Sequence, residues 1–351
     1  MRIIGAIPFV TVVLALALWD STVSFAQKPK PKPPKPPVLG TSQLAGSDGI
    51  VGTEYTIGKE YPMNIAVTKV EYRADRVRIG NEVASPTAAE KLLVVHFAFH
   101  NPNKQESVVR GDTFRFTAVD AAGANHEYEG GVWQEASGEE LNISLKPGQK
   151  MAGYTIFRLP AKGDIEKVLV ISPDDKAVRY PLKGKVAPLL SPYTDPSDKS
   201  GTSAIANIPG KLGEVLLLSS SGQHGGDPLD LTIEKAAYSD TPILEEAAEE
   251  GKRFLIVTFA VKNASPTEGQ LFRGDSIKAS VVTADGEAIE HSGKLLHGTQ
   301  MREFELTLSR DAMTRGRIYF VVPKEAKFKS LVIKGHNDDD RPFVLDISKA
   351  L

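Results

Sequence analysis

Two stretches of this chain, 91–103 (KLLVVHFAFHNPN) and 253–265 (RFLIVTFAVKNAS), share one plan. In the first, Leu93, Val95, Phe97 and Phe99 alternate with other residues, and the run ends at an asparagine before a turn. In the second, Leu255, Val257, Phe259 and Val261 take the same places. A period of two, rich in β-branched and aromatic residues, marks a strand with a buried face, and nothing here repeats at helical spacing. A chain that builds this strand twice is constrained to two related β domains.

The correspondence extends well beyond one strand. Arg110-Gly111-Asp112 recurs as Arg273-Gly274-Asp275, an offset of 273 − 110 = 163. The same offset carries Val119 to Val282, Gly123 to Gly286, Leu145 to Leu308, Gly153 to Gly316, Phe157 to Phe320, Pro160 to Pro323 and Leu182 to Leu345. Strand composition alone cannot keep one offset over so long a stretch, so the chain is an internal duplication. About seven or eight short strands per copy, with turns between them, predict a β-sandwich for each. The fold class is therefore all-β, with two tandem immunoglobulin-like sandwiches over 45–187 and 226–351. Phe97, Phe157, Phe259 and Phe320 are expected in the cores. The stretch 188–225, rich in Ser, Pro, Gly and Asp, reads as linker, interrupted by an apolar run at 215–218 that suits a first strand of the second domain. Because the shared residues are those a sandwich core needs while the surfaces have diverged, 45–187 and 226–351 are expected to fold independently, with a partner engaging mainly one of them.

The N-terminal region predicts export. Arg2 precedes an apolar run over 3–19, and Ser24-Phe25-Ala26 gives a small-x-small cleavage site, so 1–26 reads as a signal peptide with Gln27 as the mature start. An uncleaved anchor is the alternative. The stretch 27–44 opens with QKPKPKPPKPP, which forces extended polyproline II and acts as a spacer. A solvated spacer is the simpler reading of its four lysines, with a weak contact to anionic envelope polymer as the alternative.

A net charge of −2 argues against a nucleic-acid partner, which demands a basic surface. The 351 residues include no cysteine, which excludes disulfides, thiolate metal sites and cysteine nucleophiles. That favours a bacterial periplasmic or extracellular setting over an animal extracellular one.

Three motifs recur in both copies: an apolar strand ending in Asn (Phe97 to Asn101; Phe259 to Asn263), a D-x-x-G-like turn (Asp120 to Gly123; the looser Thr283 to Gly286), and G-x-x-x-F-x-x-P (Gly153 to Pro160; Gly316 to Pro323). This pattern resembles a family of secreted bacterial immunoglobulin-like domains of unknown function, akin to the immunoprotective extracellular antigen domain. The resemblance covers most of both domains. It implies a β-sandwich and export, and carries over no catalytic residue and no cofactor.

Candidate chemistry is sparse. His96 and His100 lie about 13 Å apart along one strand, too far for one metal to bridge. His126-Glu127 begins like a zinc-protease motif but lacks its second histidine. Asn337, Asp338, Asp339 and Asp340 lack the spaced pattern of a calcium loop and read as a solvated turn. Both Arg-Gly-Asp tripeptides precede a strand at the same fold position, which favours a turn over an adhesion motif. Glu245, Glu246, Glu249 and Glu250 read as a solubilising rim. Metal and catalytic sites are therefore not predicted. Trp133 and Tyr128, in a middle loop of the first copy, are the preferred contact residues for an unidentified protein or glycan partner, with a core-filling Trp133 as the alternative. Three functions stay open: an exported non-enzymatic binding protein, a structural spacer of the envelope, and an enzyme with a site built from scattered acids such as Glu139, Glu140 and Asp164.

Overall fold

The computed structural model describes residues 46–129, 131–173, 177–219, 228–265, 269–300, 302–303 and 305–349. The expected signal peptide (1–26) and Lys/Pro-rich spacer (27–44) lie outside the described residues, as do Asp174 and Asp175. Among the described residues no helix is long and apolar enough to cross a membrane, which leaves β-barrels unaddressed.

The first sandwich holds β1 (Gly46–Asp48), β2 (Tyr55–Ile57), β3 (Met63–Arg73), β4 (Val77–Ile79), β5 (Glu82–Ala84), β6 (Glu90–His100), β7 (Ser107–Arg110), β8 (Arg115–Asp120), β9 (Asn125–Glu127), β10 (Trp133–Gln134), β11 (Asn142–Leu145), β12 (Lys150–Pro160), β13 (Ile165–Ile171) and β14 (Ala177–Pro181). The second holds β15 (Ile208–Gly210), β16 (Val215–Ser219), β17 (Pro228–Ser239), β18 (Lys252–Asn263), β19 (Gln270–Phe272), β20 (Lys278–Thr283), β21 (Ala288–Glu290), β22 (Leu296–His297), β23 (Leu306–Leu308), β24 (Met313–Pro323), β25 (Phe328–Lys334) and β26 (Phe343–Asp346).

The two copies share one topology. In the first, sheets β1-β14-β13-β8-β9 and β10-β12-β6-β3-β2 face each other; in the second, β15-β26-β25-β20-β21 and β22-β24-β18-β17-β16 do the same. The registers of the central strands agree residue by residue, while β26 is shifted by two residues from the common offset, so that Ile347, not Leu345, takes the place of Leu182. Phe157 lies opposite Leu93 and Phe320 opposite Leu255, and β3 and β17 carry the same bulge, at 67/69 and 233/235. A hairpin of β4 and β5 is special to the first copy.

Phe97, Phe157, Phe259 and Phe320 are all buried between their sheets. Phe97 stacks on Phe116 at 5.0 Å and Phe99 on Phe114 at 5.1 Å, while Phe259 meets Phe272 edge-on at 6.0 Å. The recurrent asparagines explain themselves. Fully buried Asn101 donates to Leu145 O (2.8 Å) and accepts from Asn103 N–H (2.9 Å); Asn263 donates to Leu308 O (2.9 Å) and accepts from Ser265 N–H (2.8 Å). Each amide thus closes a turn and pins the strand end that would otherwise leave buried polar groups unmet. The glycine of the G-x-x-x-F strand has a steric reason too. A Cβ on Gly153 would sit 2.8 Å from Trp133 O and 2.9 Å from the Phe97 ring.

The stretch 188–225 is not a simple linker. β15 pairs in parallel with β26, and β16 pairs with β17, so its second half supplies two edge strands of the second sandwich. Its first half lies on the first sandwich: Ala187 N–H donates to Val70 O (2.8 Å), Ala204 N–H to Ala161 O (2.8 Å), and Leu189, Tyr193 and Ala204 are buried in one apolar core that continues into both copies. Composition concealed this, because turn-forming Ser, Pro and Gly also build ordered loops when their polar groups find partners.

Arg341 binds the two sandwiches across this junction. Its guanidinium donates to Ile205 O (2.8 Å), Thr87 O (2.8 Å) and Glu90 O, so one buried cation joins the second copy, the connecting segment and the first copy. Ala88 N–H donates to Asp339 O (3.0 Å), and Arg76 pairs with Asp230 nearby. These contacts join the two copies, expected to fold independently, into one compact unit.

Candidate functional site

Each sandwich carries a cation laid over a tyrosine at the same place in its fold. Lys91 is second in β6, opposite Leu159; Arg253 is second in β18, opposite Val322. Tyr72 on β3 lies opposite Leu93, and Tyr238 on β17 opposite Leu255. Lys91 Nζ stands 4.0 Å from the Tyr72 ring centroid, and the Arg253 guanidinium carbon 3.3 Å from that of Tyr238. A cavity opens beside each pair.

In the first sandwich the connecting segment closes over the pair. Lys91 is 0% exposed and donates to Gly163 O and Thr202 O, each at 2.5 Å. Burial pushes its ammonium down to about 8, against the pull of Asp164 and Asp198. Burial also pushes the Tyr72 phenol up to about 12, and its oxygen accepts from Ile165 N–H at 2.9 Å. The Asp198 carboxylate organises the cover by accepting from the backbone N–H groups of Ser200 (2.8 Å), Thr202 (3.0 Å) and Ser203 (2.7 Å). A cavity of about 360 Å³ persists beside this closure, with Asp164 and Glu166 on its rim.

The second sandwich keeps the pair and lacks the cover. Among the described residues the Arg253 guanidinium meets no hydrogen-bond acceptor, and its Nε is buried without one. No described backbone N–H meets Lys324 O, the counterpart of the Ala161 carbonyl that takes Ala204 N–H in the first copy. The cavity is larger, about 590 Å³, and its rim is basic, with Lys324, Lys327 and Lys329 beside the single acid Glu325. At the offset of 163, Asp164 becomes Lys327 and Glu166 becomes Lys329. One fold position thus carries opposite charge in the two copies.

Trp133 and Tyr128 are not brought together. Trp133 is 8% exposed and packs with Tyr154, Val94 and Ile156 beneath the β4–β5 hairpin, so the indole fills an outer core instead of meeting solvent. Tyr128 is half-buried on the other side of the sheet, edge-on to Phe116 at 6.0 Å. This corrects the contact expected of Trp133: the hairpin that covers it has no counterpart in the repeat pattern. In the second copy Leu296 takes its place, covered by Ile243 from the loop whose Glu245, Glu246, Glu249 and Glu250 point outward.

The remaining candidates are occupied locally. His96 lies between Glu135 (2.9 Å) and Glu71 (3.1 Å), and His100 contacts Glu54 (3.0 Å), so the two histidines serve separate carboxylates. Burial alone would raise Glu71, but hydrogen bonds from Lys69 and His96 leave it below the usual carboxylate range. His126 pairs with Asp120 at 3.0 Å. Asp338 pairs with Lys278 at 2.7 Å, while Asp340 turns inward and accepts Asn337 N–H at 2.9 Å. Among the described residues no group of three or more His, Asp or Glu side chains is placed to hold a metal. Gly274 of the second Arg-Gly-Asp is sterically required, since a Cβ there would meet Gly293 O at 1.9 Å. Glu139 and Glu140 precede β11, which pairs with β7, and Asp164 precedes β13, which pairs with β8 and β14, so the acids lie by different sheets.

The cation–tyrosine pairs are invisible to sequence patterns, although Lys91 and Arg253 head the two aligned stretches. Their tyrosines lie 238 − 72 = 166 apart, outside the common offset, so only the sheet register joins them.

Comparison with curated protein sequences gives no match. Similar solved structures include an uncharacterised β-sandwich protein from Clostridium difficile 630 (15% identity over 40% of this chain and 96% of that one, TM-score 0.31) and the secreted protein MPT63 from Mycobacterium tuberculosis (17% identity, 40% and 97%, TM-score 0.30). The yjhA protein from Bacillus subtilis is a third (13% identity, 39% and 97%, TM-score 0.26). The family model described as Domain of unknown function (DUF4352) matches residues 226–340. That match falls within the second sandwich, and the first sandwich has the same order of strands in its two main sheets.

Proposed function

We propose that this protein is an exported, non-enzymatic binding protein of the bacterial envelope, which presents the open end of its second sandwich to a partner. The observation that carries the reading is the inequality of two homologous cavities. The first is closed by the chain itself; the second offers, among the described residues, an unmet guanidinium, an unmet carbonyl and a basic rim. Groups that one copy satisfies internally are available in the other for a partner. Export is supported by the signal-like 1–26. The absence of catalysis is supported by the wide placement of the acids and by the burial of Lys91, whose lowered proton affinity would otherwise suit a base. A spacer role draws support from Arg341, which links the two sandwiches by hydrogen bonds.

Photo-cross-linking separates these readings. A photoreactive residue replacing Lys324 should give partner adducts in the native envelope, and one replacing Lys183, on the first cavity, should not. No adduct at Lys324, with the chain exported and folded, would favour the spacer.

A further inference from the structure

We propose that the second cavity recognises an acidic peptide segment, docked as the turn-containing segment 200–204 docks on the first sandwich. This rests on the binding role proposed above and names the chemistry of the partner. The first copy shows what the position is built to take. There the covering segment supplies one carbonyl, Thr202 O to Lys91 Nζ, and one amide, Ala204 N–H to Ala161 O. A carbonyl and an N–H two residues apart are a backbone signature, and a peptide provides both.

The second copy presents the complementary pair unfilled, with Arg253 in the place of Lys91 and Lys324 O in the place of Ala161 O. The exchange of lysine for arginine matters. A planar guanidinium stacked on a tyrosine keeps its donors in a fixed fork, suited to a carboxylate as well as a carbonyl. Charge then selects among peptides. The covering segment of the first copy carries Asp195 and Asp198, with Asp198 acting on Lys91 and Lys162 acting on Asp195. The second rim has lost Asp164 and Glu166 and gained Lys327 and Lys329, which strengthens the preference for an acidic occupant.

The test uses the full mature chain and a fluorescent peptide of its own sequence 195–205, DPSDKSGTSAI, monitored by anisotropy. Three results are expected. The peptide binds; its form with Asp195→Asn and Asp198→Asn binds about tenfold more weakly; and Lys327→Asp with Lys329→Glu, which installs the residues of the first copy, weakens the parent peptide by about tenfold or more. Arg253→Gln should also weaken it, with melting temperature as the check on folding. Equal binding of the acidic and amidated peptides would overturn the proposal. So would polyphosphate displacing the peptide as well as unlabelled peptide does, since charge alone would then be recognised. Cross-link adducts at Lys324 without peptide binding would overturn the acidic-peptide assignment while the binding role stood; loss of both would remove the role itself.

Discussion

The two ends of this duplicated chain show how one fold position can be finished in two ways. In the first sandwich a buried ammonium over Tyr72 is satisfied by carbonyls from its own chain. In the second, a guanidinium over Tyr238 stands beside an open basic cavity. Sheets and bulges agree between the copies, and Phe97 and Phe157 match Phe259 and Phe320, so the difference does not come from the scaffold. It comes from the segment after β14, which crosses the end of the first sandwich, and from a few rim residues that changed sign. The scaffold is constrained by packing; the rim is free to diverge.

Matched truncations test the shared part and carry the largest effects. Phe157→Ala and Phe320→Ala should each cost about 3–5 kcal/mol, because each ring is buried between its sheets at the same register. Denaturant midpoints check this, and an unchanged midpoint for either would break the equivalence of the copies. Trp133→Ala should cost about 3–5 kcal/mol and Leu296→Ala about 2–5, since both fill an outer core under a cover. A surface-like loss near zero at Trp133 would restore its role as a contact.

Next is the junction. Arg341→Met leaves the carbonyls of Ile205, Thr87 and Glu90 without their donor, at a cost of about 3 kcal/mol. Calorimetry should show one unfolding transition in the parent chain and two in the variant. Two transitions already present in the parent would mean that the sandwiches are not coupled.

What the sequence disclosed and what it hid divide along the same line. Phe97, Asn101, Gly153 and their partners were legible because packing and turn closure demand one residue type at one spacing. The ordered path of 188–206 was not, because its Ser, Pro and Gly content suits an ordered loop and a linker alike. The burial of Trp133 depended on the β4–β5 hairpin, which stands outside the repeat. The Lys91–Tyr72 pair is a tertiary contact across strands with no signal in local spacing.

A smaller effect distinguishes the closed end by pH. Folding lowers Lys91 from its ordinary 10.5 to about 8, so between those values the unfolded chain holds more protons than the folded one. Stability should therefore rise with pH from about 8 to 10.5 relative to Lys91→Met, by on the order of 3 kcal/mol at most. Denaturant titrations of both proteins across that range would check it; a flat difference would mean that Lys91 is hydrated, not buried.

The most direct test of the closed and open ends is brief acylation of surface amines at pH 8, read residue by residue by mass spectrometry. Lys324, Lys327 and Lys329 should react within the pulse, and Lys91 should stay unmodified until the protein unfolds, even though its lowered proton affinity would make it the fastest of the four if reagent reached it. Labelling of Lys91 in the folded chain at the rate of Lys327 would contradict the account, because the first cavity would then be as open as the second.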